Sequence, residues 1–233
     1  MNANPAGDAG LRRPVTVPYF SSIINLLNAF RRTQPSVSFE LDLLKKVSIA
    51  QARNAHATKV LQGSYSHLLF VDADMGFQPS LVSKMLEFDR PVVGCVYPRR
   101  NINLARALAA AQGETDPNRL RHSLQDYVPS SIGDEREGDF ARADVAGTGI
   151  MLIRRDALER MQEGYPNLVG ANGDFHPFAE TVRNPDGGFV GEDVAFCRRW
   201  LKIGGEIWVC LTETITHIGR ERFVGAYQAT IET

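Results

Sequence analysis

Apolar positions recur along this chain with two different periods, and each change of period marks an element. Ile23, Ile24, Leu26, Leu27 and Phe30 fall on a helical spacing, so residues 19–32 predict an amphipathic helix. Val37, Phe39 and Leu41 alternate with polar neighbours over 36–41, which predicts a strand. Residues 48–62 predict a second helix, with Ser48 placed to cap it. The unbroken apolar run at 67–71 reads as a buried strand, Pro79 stands where a helix over 81–88 begins, and 92–97 reads as the next strand. Residues 14–18 would form a short first strand before all of these.

Strands alternating with helices imply an α/β fold, with a mostly parallel, Rossmann-like sheet and helices on both faces, since each crossover returns right-handed. A ligand would then sit at the carboxyl edge of the sheet. From 98 to 139 the pattern dissolves into Arg, Asn, Gly and Pro around an Ala-rich patch at 104–111, which predicts a long loop or small subdomain. Order returns with a strand ending at 153, a helix over 155–162, a loop over 164–188, a helix over 191–203 and a strand over 206–211. The expected organisation is a disordered leader at 1–13, one domain over 14–219 and an Arg-rich tail at 220–233.

Composition narrows the function classes. A hydrophobic fraction of 43%, a charged fraction of 23% and a formal net charge of −1 suit a soluble globular protein and give no electrostatic footprint for nucleic acid. Cys95, Cys197 and Cys210 are scattered without metal-ligand spacing, so they read as small buried hydrophobes in a reducing compartment. No window approaches a transmembrane segment, and a cytoplasmic location is expected.

The chemistry is concentrated at predicted element ends. Asp72 and Asp74 follow the apolar run; in an extended segment they would share a face with Cα atoms about 6.5 Å apart, at about 3.3 Å per residue. Two such carboxylates repel unless a cation lies between them, and Mg²⁺ or Mn²⁺ takes oxygen ligands readily. The plainer reading is an Asp-rich turn. Glu192 and Asp193 open a helix, where carboxylates serve as first-turn acids whether or not they also work as acceptor ligand and general base. His217 follows the last strand, and imidazole suits Mn²⁺ better than Mg²⁺ as a partner to carboxylates. Arg53 and Asn54 are either ordinary helix surface or a guanidinium and amide beside a phosphate or base. Gly147 and Gly149 flank Thr148 in a turn whose backbone packs tightly against something.

In order along the chain, Ala52–Arg53–Asn54, Phe70–Val71–Asp72–Ala73–Asp74, Val93–Gly94 with Tyr97–Pro98, Gly147–Thr148–Gly149, Gly191–Glu192–Asp193 and Thr216–His217 match a known arrangement. The chain resembles the GT-A-type nucleotide-sugar-dependent glycosyltransferases, especially the broad family-2-like group, over residues 13–219. The resemblance implies a single-domain GT-A fold in which 98–139 is an acceptor-side loop or subdomain. It implies that Asp74 ligates Mn²⁺ or Mg²⁺, that Asp72 contacts the ribose or the metal shell, and that His217 is the far ligand. Arg53, Asn54, Gly147 and Thr148 would lie at the nucleotide, Glu192 at the acceptor, and Asp193 would be the base. The partners implied are a nucleotide-diphosphate sugar donor and a carbohydrate or glycoconjugate acceptor, with inversion at the anomeric carbon and retention left open. Arg220, Arg222 and Phe223 would close over the diphosphate.

Two rivals stay in view. A haloacid-dehalogenase-type phosphatase also places Asp-x-Asp after a buried strand, with the first Asp as nucleophile, but on its first strand. A non-catalytic nucleotide-sugar or carbohydrate binding module would keep the same residues without turnover.

Overall fold

The computed structural model describes residues 15–44, 47–103, 105, 108–109, 116–129, 131–219 and 222–230. Helix α1 (Val17–Thr33) starts where a strand was expected, because the Thr16 side chain accepts from Tyr19 N and Pro18 presets the first turn. Pro14 and the leader lie outside the described residues. Among the described residues the expected strand at 36–41 makes no ladder. Lys59 instead holds Glu40 and Asp42 at 2.6 and 2.7 Å through side chains, and Phe39 packs edge-on against Phe30 with ring centroids 5.1 Å apart. Val37 and Phe39 thus pack beside α1 as expected, whereas Leu41 is exposed, and among the described residues the segment has no neighbouring strand.

Helix α2 (Ile49–Gln62) is fixed at both ends. Ser48 and Gln51 form a reciprocal capping box. At the other end the Arg155 guanidinium donates to the carbonyls of Val60, Leu61 and Gly63 at 2.7, 2.7 and 2.6 Å, satisfying oxygens that the helix leaves open.

The main sheet has the order β1-β8-β3-β9-β7-β6, with β1 (His67–Val71), β3 (Val92–Cys95), β6 (Arg136–Glu137), β7 (Phe140–Ala143), β8 (Ile150–Arg154) and β9 (Ile207–Cys210). This corrects the expected mostly parallel sheet: β3·β9 is its one parallel pairing, and the other four are antiparallel. Strands β1, β3 and β9 do share a direction, but β8 runs the opposite way between β1 and β3, and β7 lies antiparallel beyond β9. A run of buried residues has the same sequence signature in either direction, so the pattern could not separate the two arrangements.

Side chains alternate between two apolar layers. Val93, Cys95, Ile150, Leu152 and Trp208 face α1 and α3 (Pro79–Phe88). Val92, Met151, Ile153 and Val209 face α2, α5 (Arg155–Gly164) and α6 (Glu192–Lys202). The expectation of helices on both faces of an α/β sheet therefore holds.

The 98–139 region is more ordered than a loop. Strand β4 (Tyr97–Ile102) pairs with β5 (Gln125–Val128), helix α4 (Pro117–Ser123) lies between them in sequence, and β6 joins the main sheet. Most of the Ala-rich patch falls outside the described residues. A third sheet joins β2 (Met75–Gly76), β10 (Ile215–Ile218) and β11 (Arg222–Gly225) in the order β11-β10-β2. Among the described residues no helix is long and apolar enough to cross a membrane.

Candidate functional site

Arg53, on the inward face of α2, is 6% exposed and lies 5.9 Å from the Phe70 ring centroid. Its Nη1 donates to Glu192 Oε1 and its Nη2 to Asp72 Oδ1 at 3.3 Å. A buried guanidinium needs such charge-bearing acceptors, and here they tie together α2, the end of β1 and the start of α6. The fork expected to meet a phosphate or base is thus engaged by protein carboxylates.

The two aspartates do not share a strand face. Strand β1 ends at Val71, and Met75 N donates to the Asp72 carbonyl at 3.0 Å, closing a turn where an extended segment was expected. Asp72 N donates to Gly149 O of the main sheet's connection, whereas the Asp74 carbonyl accepts from Ile218 N of β10, both at 2.8 Å. Asp72 turns to Arg53. Asp74, 9% exposed, receives Arg100 Nη1 on Oδ2 at 2.9 Å, and His217 Nε2 faces the same oxygen at 3.7 Å. His217 Nδ1 lies 2.8 Å from the Pro98 carbonyl, which can only accept, so Nδ1 carries the proton and a neutral ring leaves its Nε2 lone pair toward Asp74. Asp74 and His217 are the pair able to share a cation. Among the described residues no three His, Cys, Asp or Glu side chains are close enough to enclose one.

Tyr97 explains the two glycines around Thr148. A Cβ on Gly147 would collide with the Tyr97 hydroxyl, and one on Gly149 would come within 2.8 Å of its ring. The turn packs against the phenol, which burial, followed by the Asp72 charge, pushes above its ordinary pKa. Thr148 itself is 1% exposed. Cys197 accepts from Ala146 N at 3.4 Å, binding α6 to the same connection. All three cysteines are free and buried. Asn54 stays outside the cluster: its side-chain oxygen accepts from Phe178 N at 2.8 Å and so fixes the loop before α6.

Asp193, half-buried in the first turn of α6, has its carboxyl raised above the ordinary range by burial, with Val194 N–H opposing and Glu192 adding to the rise. Asp72 is raised too, first by the protein around it, with Arg53 opposing and Asp74 reinforcing. Its side chain remains 48% exposed, so solvent screens much of that effect. Arg220 lies outside the described residues, while Arg222 is exposed and Phe223 half-buried on β11.

The structure therefore brings Arg53, Asp72, Asp74, Glu192 and His217 to the end of β1, with Asp193 next to Glu192 and Gly147–Gly149 behind Tyr97. Sequence reasoning missed Arg100, and it singled out Tyr97 with Pro98 without assigning it a partner. The signal for Arg100 was the extended segment continuing past Tyr97, hidden by an Arg- and Asn-rich composition that reads as loop. Lone pairs, carboxylates and guanidiniums at one edge can hold a cation, orient an anionic ligand and accept a proton.

No protein-family model matches this chain, and no curated protein matches it. Among solved structures it is similar to A197 from STIV, whose crystal structure aligns with a TM-score of 0.45 at 15% identity, over 88% of this chain and 86% of that one.

Proposed function

We propose that this protein is a metal-dependent glycosyltransferase that moves a sugar from a nucleotide-diphosphate sugar to a carbohydrate or glycoconjugate hydroxyl, with inversion. The observation that carries this reading is the approach of Asp74 Oδ2 and His217 Nε2 at the end of β1, beside the carboxylates of Asp72, Glu192 and Asp193, a group of donors suited to one divalent cation.

The donor set fits such an ion. Two ligands about 2.1 Å from one cation sit no more than about 4.2 Å apart, and Asp74 Oδ2 and His217 Nε2 are 3.7 Å apart. Mg²⁺ or Mn²⁺ on a phosphate-bearing substrate commonly uses one or two protein side chains together with phosphate oxygens. When bound, the cation supplies charge stabilisation to the departing diphosphate. Asp193 takes the acceptor hydroxyl's proton on its carboxylate, and its raised pKa makes it a better base than an ordinary aspartate. Arg53 fixes Glu192 and Asp72 at their positions, leaving Glu192 to accept from an acceptor hydroxyl.

The reading is tested by calorimetric titration with UDP-, GDP- and dTDP-sugars, in Mn²⁺ and again in EDTA. One nucleotide class should bind only with the metal, and Asp74→Ala should abolish that binding. Equal binding in EDTA would remove the metal from the mechanism, and no binding of any donor would overturn the reading.

A further inference from the structure

The two guanidiniums of the site are mounted differently. Arg53 is buried and spans two carboxylates, so its displacement would leave both unpaired. Arg100 lies on β4 with its side chain 33% exposed, and of its two terminal nitrogens only Nη1 reaches Asp74. Its stem crosses Gly219, where a Cβ would stand 3.1 Å from Cδ, 3.2 Å from Cβ and 3.3 Å from Cγ. The absence of a side chain at 219 therefore makes the track along which Arg100 reaches the carboxylate. At its end the guanidinium occupies the same oxygen that His217 Nε2 faces.

We propose that Arg100 is a displaceable stand-in for the cation: it neutralises Asp74 in the metal-free protein and swings away along Gly219 when a divalent ion takes the Asp74 oxygen. This inference rests on the metal reading above. A side chain with partial access to solvent loses little on moving outward, because water replaces its one bond to Asp74. Asp74, 12% exposed at its side chain, has little access to water, so an exchange of one cation for another at its oxygen is the favourable route. Arg100 thus sets the affinity of the site for metal and is not one of its ligands.

The test is Mn²⁺ binding to the full chain without nucleotide, followed by the electron paramagnetic resonance signal of free Mn²⁺. Removing the competitor in Arg100→Gln should tighten Mn²⁺ binding about two- to fivefold, the size expected for loss of one partly exposed ion pair. Arg100→Met keeps the aliphatic stem over Gly219 without the charge and should tighten it equally, which guards against a folding defect in the Gln variant. Unchanged or weaker binding in both folded variants overturns the stand-in role, even where the wild type binds Mn²⁺. Failure of the underlying metal reading looks different: Asp74→Asn would leave wild-type Mn²⁺ affinity unaltered, or neither the wild type nor the Arg100 variants would bind Mn²⁺ at all.

Discussion

At Asp193, a raised carboxyl pKa has opposite consequences for catalysis and for stability. As a base Asp193 must be ionised, so turnover should fall as pH drops through its elevated pKa, and the acid limb of the kcat profile should lie above the ordinary aspartate value of 3.8. For stability the folded state binds this proton more tightly than the unfolded one, so the stabilisation is present at low pH and lost as pH rises through the folded pKa. Asp193→Asn should therefore abolish sugar transfer, keep donor binding, and leave urea stability at pH 7 at least equal to wild type. The stability difference should shrink as pH falls from the raised folded pKa toward 3.8, and a variant clearly less stable at pH 7 would contradict the assignment. Which residues carry charge was legible in the sequence; their partners were not. Asp72 and Asp74 looked like two ligands on one strand face, but a single hydrogen bond, Met75 N to Asp72 O, makes a turn of them. Asn54 looked like a nucleotide contact and instead holds Phe178 N, a partner 124 positions away that no local pattern announces.

Among the elements, α2 is the one whose placement decides the site, since it carries Arg53. Arg155 gathers two of its terminal carbonyls and that of the capping Gly63, and Arg155→Met would leave these oxygens with water alone. With the side chain 30% exposed, the loss should be about 1–2 kcal/mol, seen as a lower urea midpoint at unchanged slope. Donor affinity should fall with it if Arg53 shifts. The boundaries of α1, α2, α3, α5 and α6 could be read to within a few residues, because caps, prolines and helical spacing are local signals. The 36–41 segment misled because alternation reports a face turned inward and says nothing of a neighbour to pair with. Strand β4 was missed for the converse reason: it pairs with β5 although its sequence is Arg-rich and mostly exposed.

For the whole molecule, the main sheet sets where stability resides. Strands β3, β8 and β9 lie between the two apolar layers and are buried almost throughout, while β6 at the far edge is exposed. Hydrogen exchange followed by mass spectrometry should find the slowest amides in Val92–Cys95, Ile150–Arg154 and Ile207–Cys210, and fast exchange at Arg136–Glu137. Uniform protection across the sheet would contradict this. Strand direction was the largest feature that sequence could not supply, since β8 enters between β1 and β3 from a connection more than fifty residues later in the chain. The anchoring of the two aspartates carries one more consequence. Asp72 is fastened to the main sheet through Gly149, Asp74 to the small sheet through Ile218, and only Ala73, held by Thr16, stands between them. The seam between two sheets thus runs through the Asp-x-Asp tripeptide, and a ligand that grips both aspartates is a staple across it, so occupancy of the site would stiffen both sheets together.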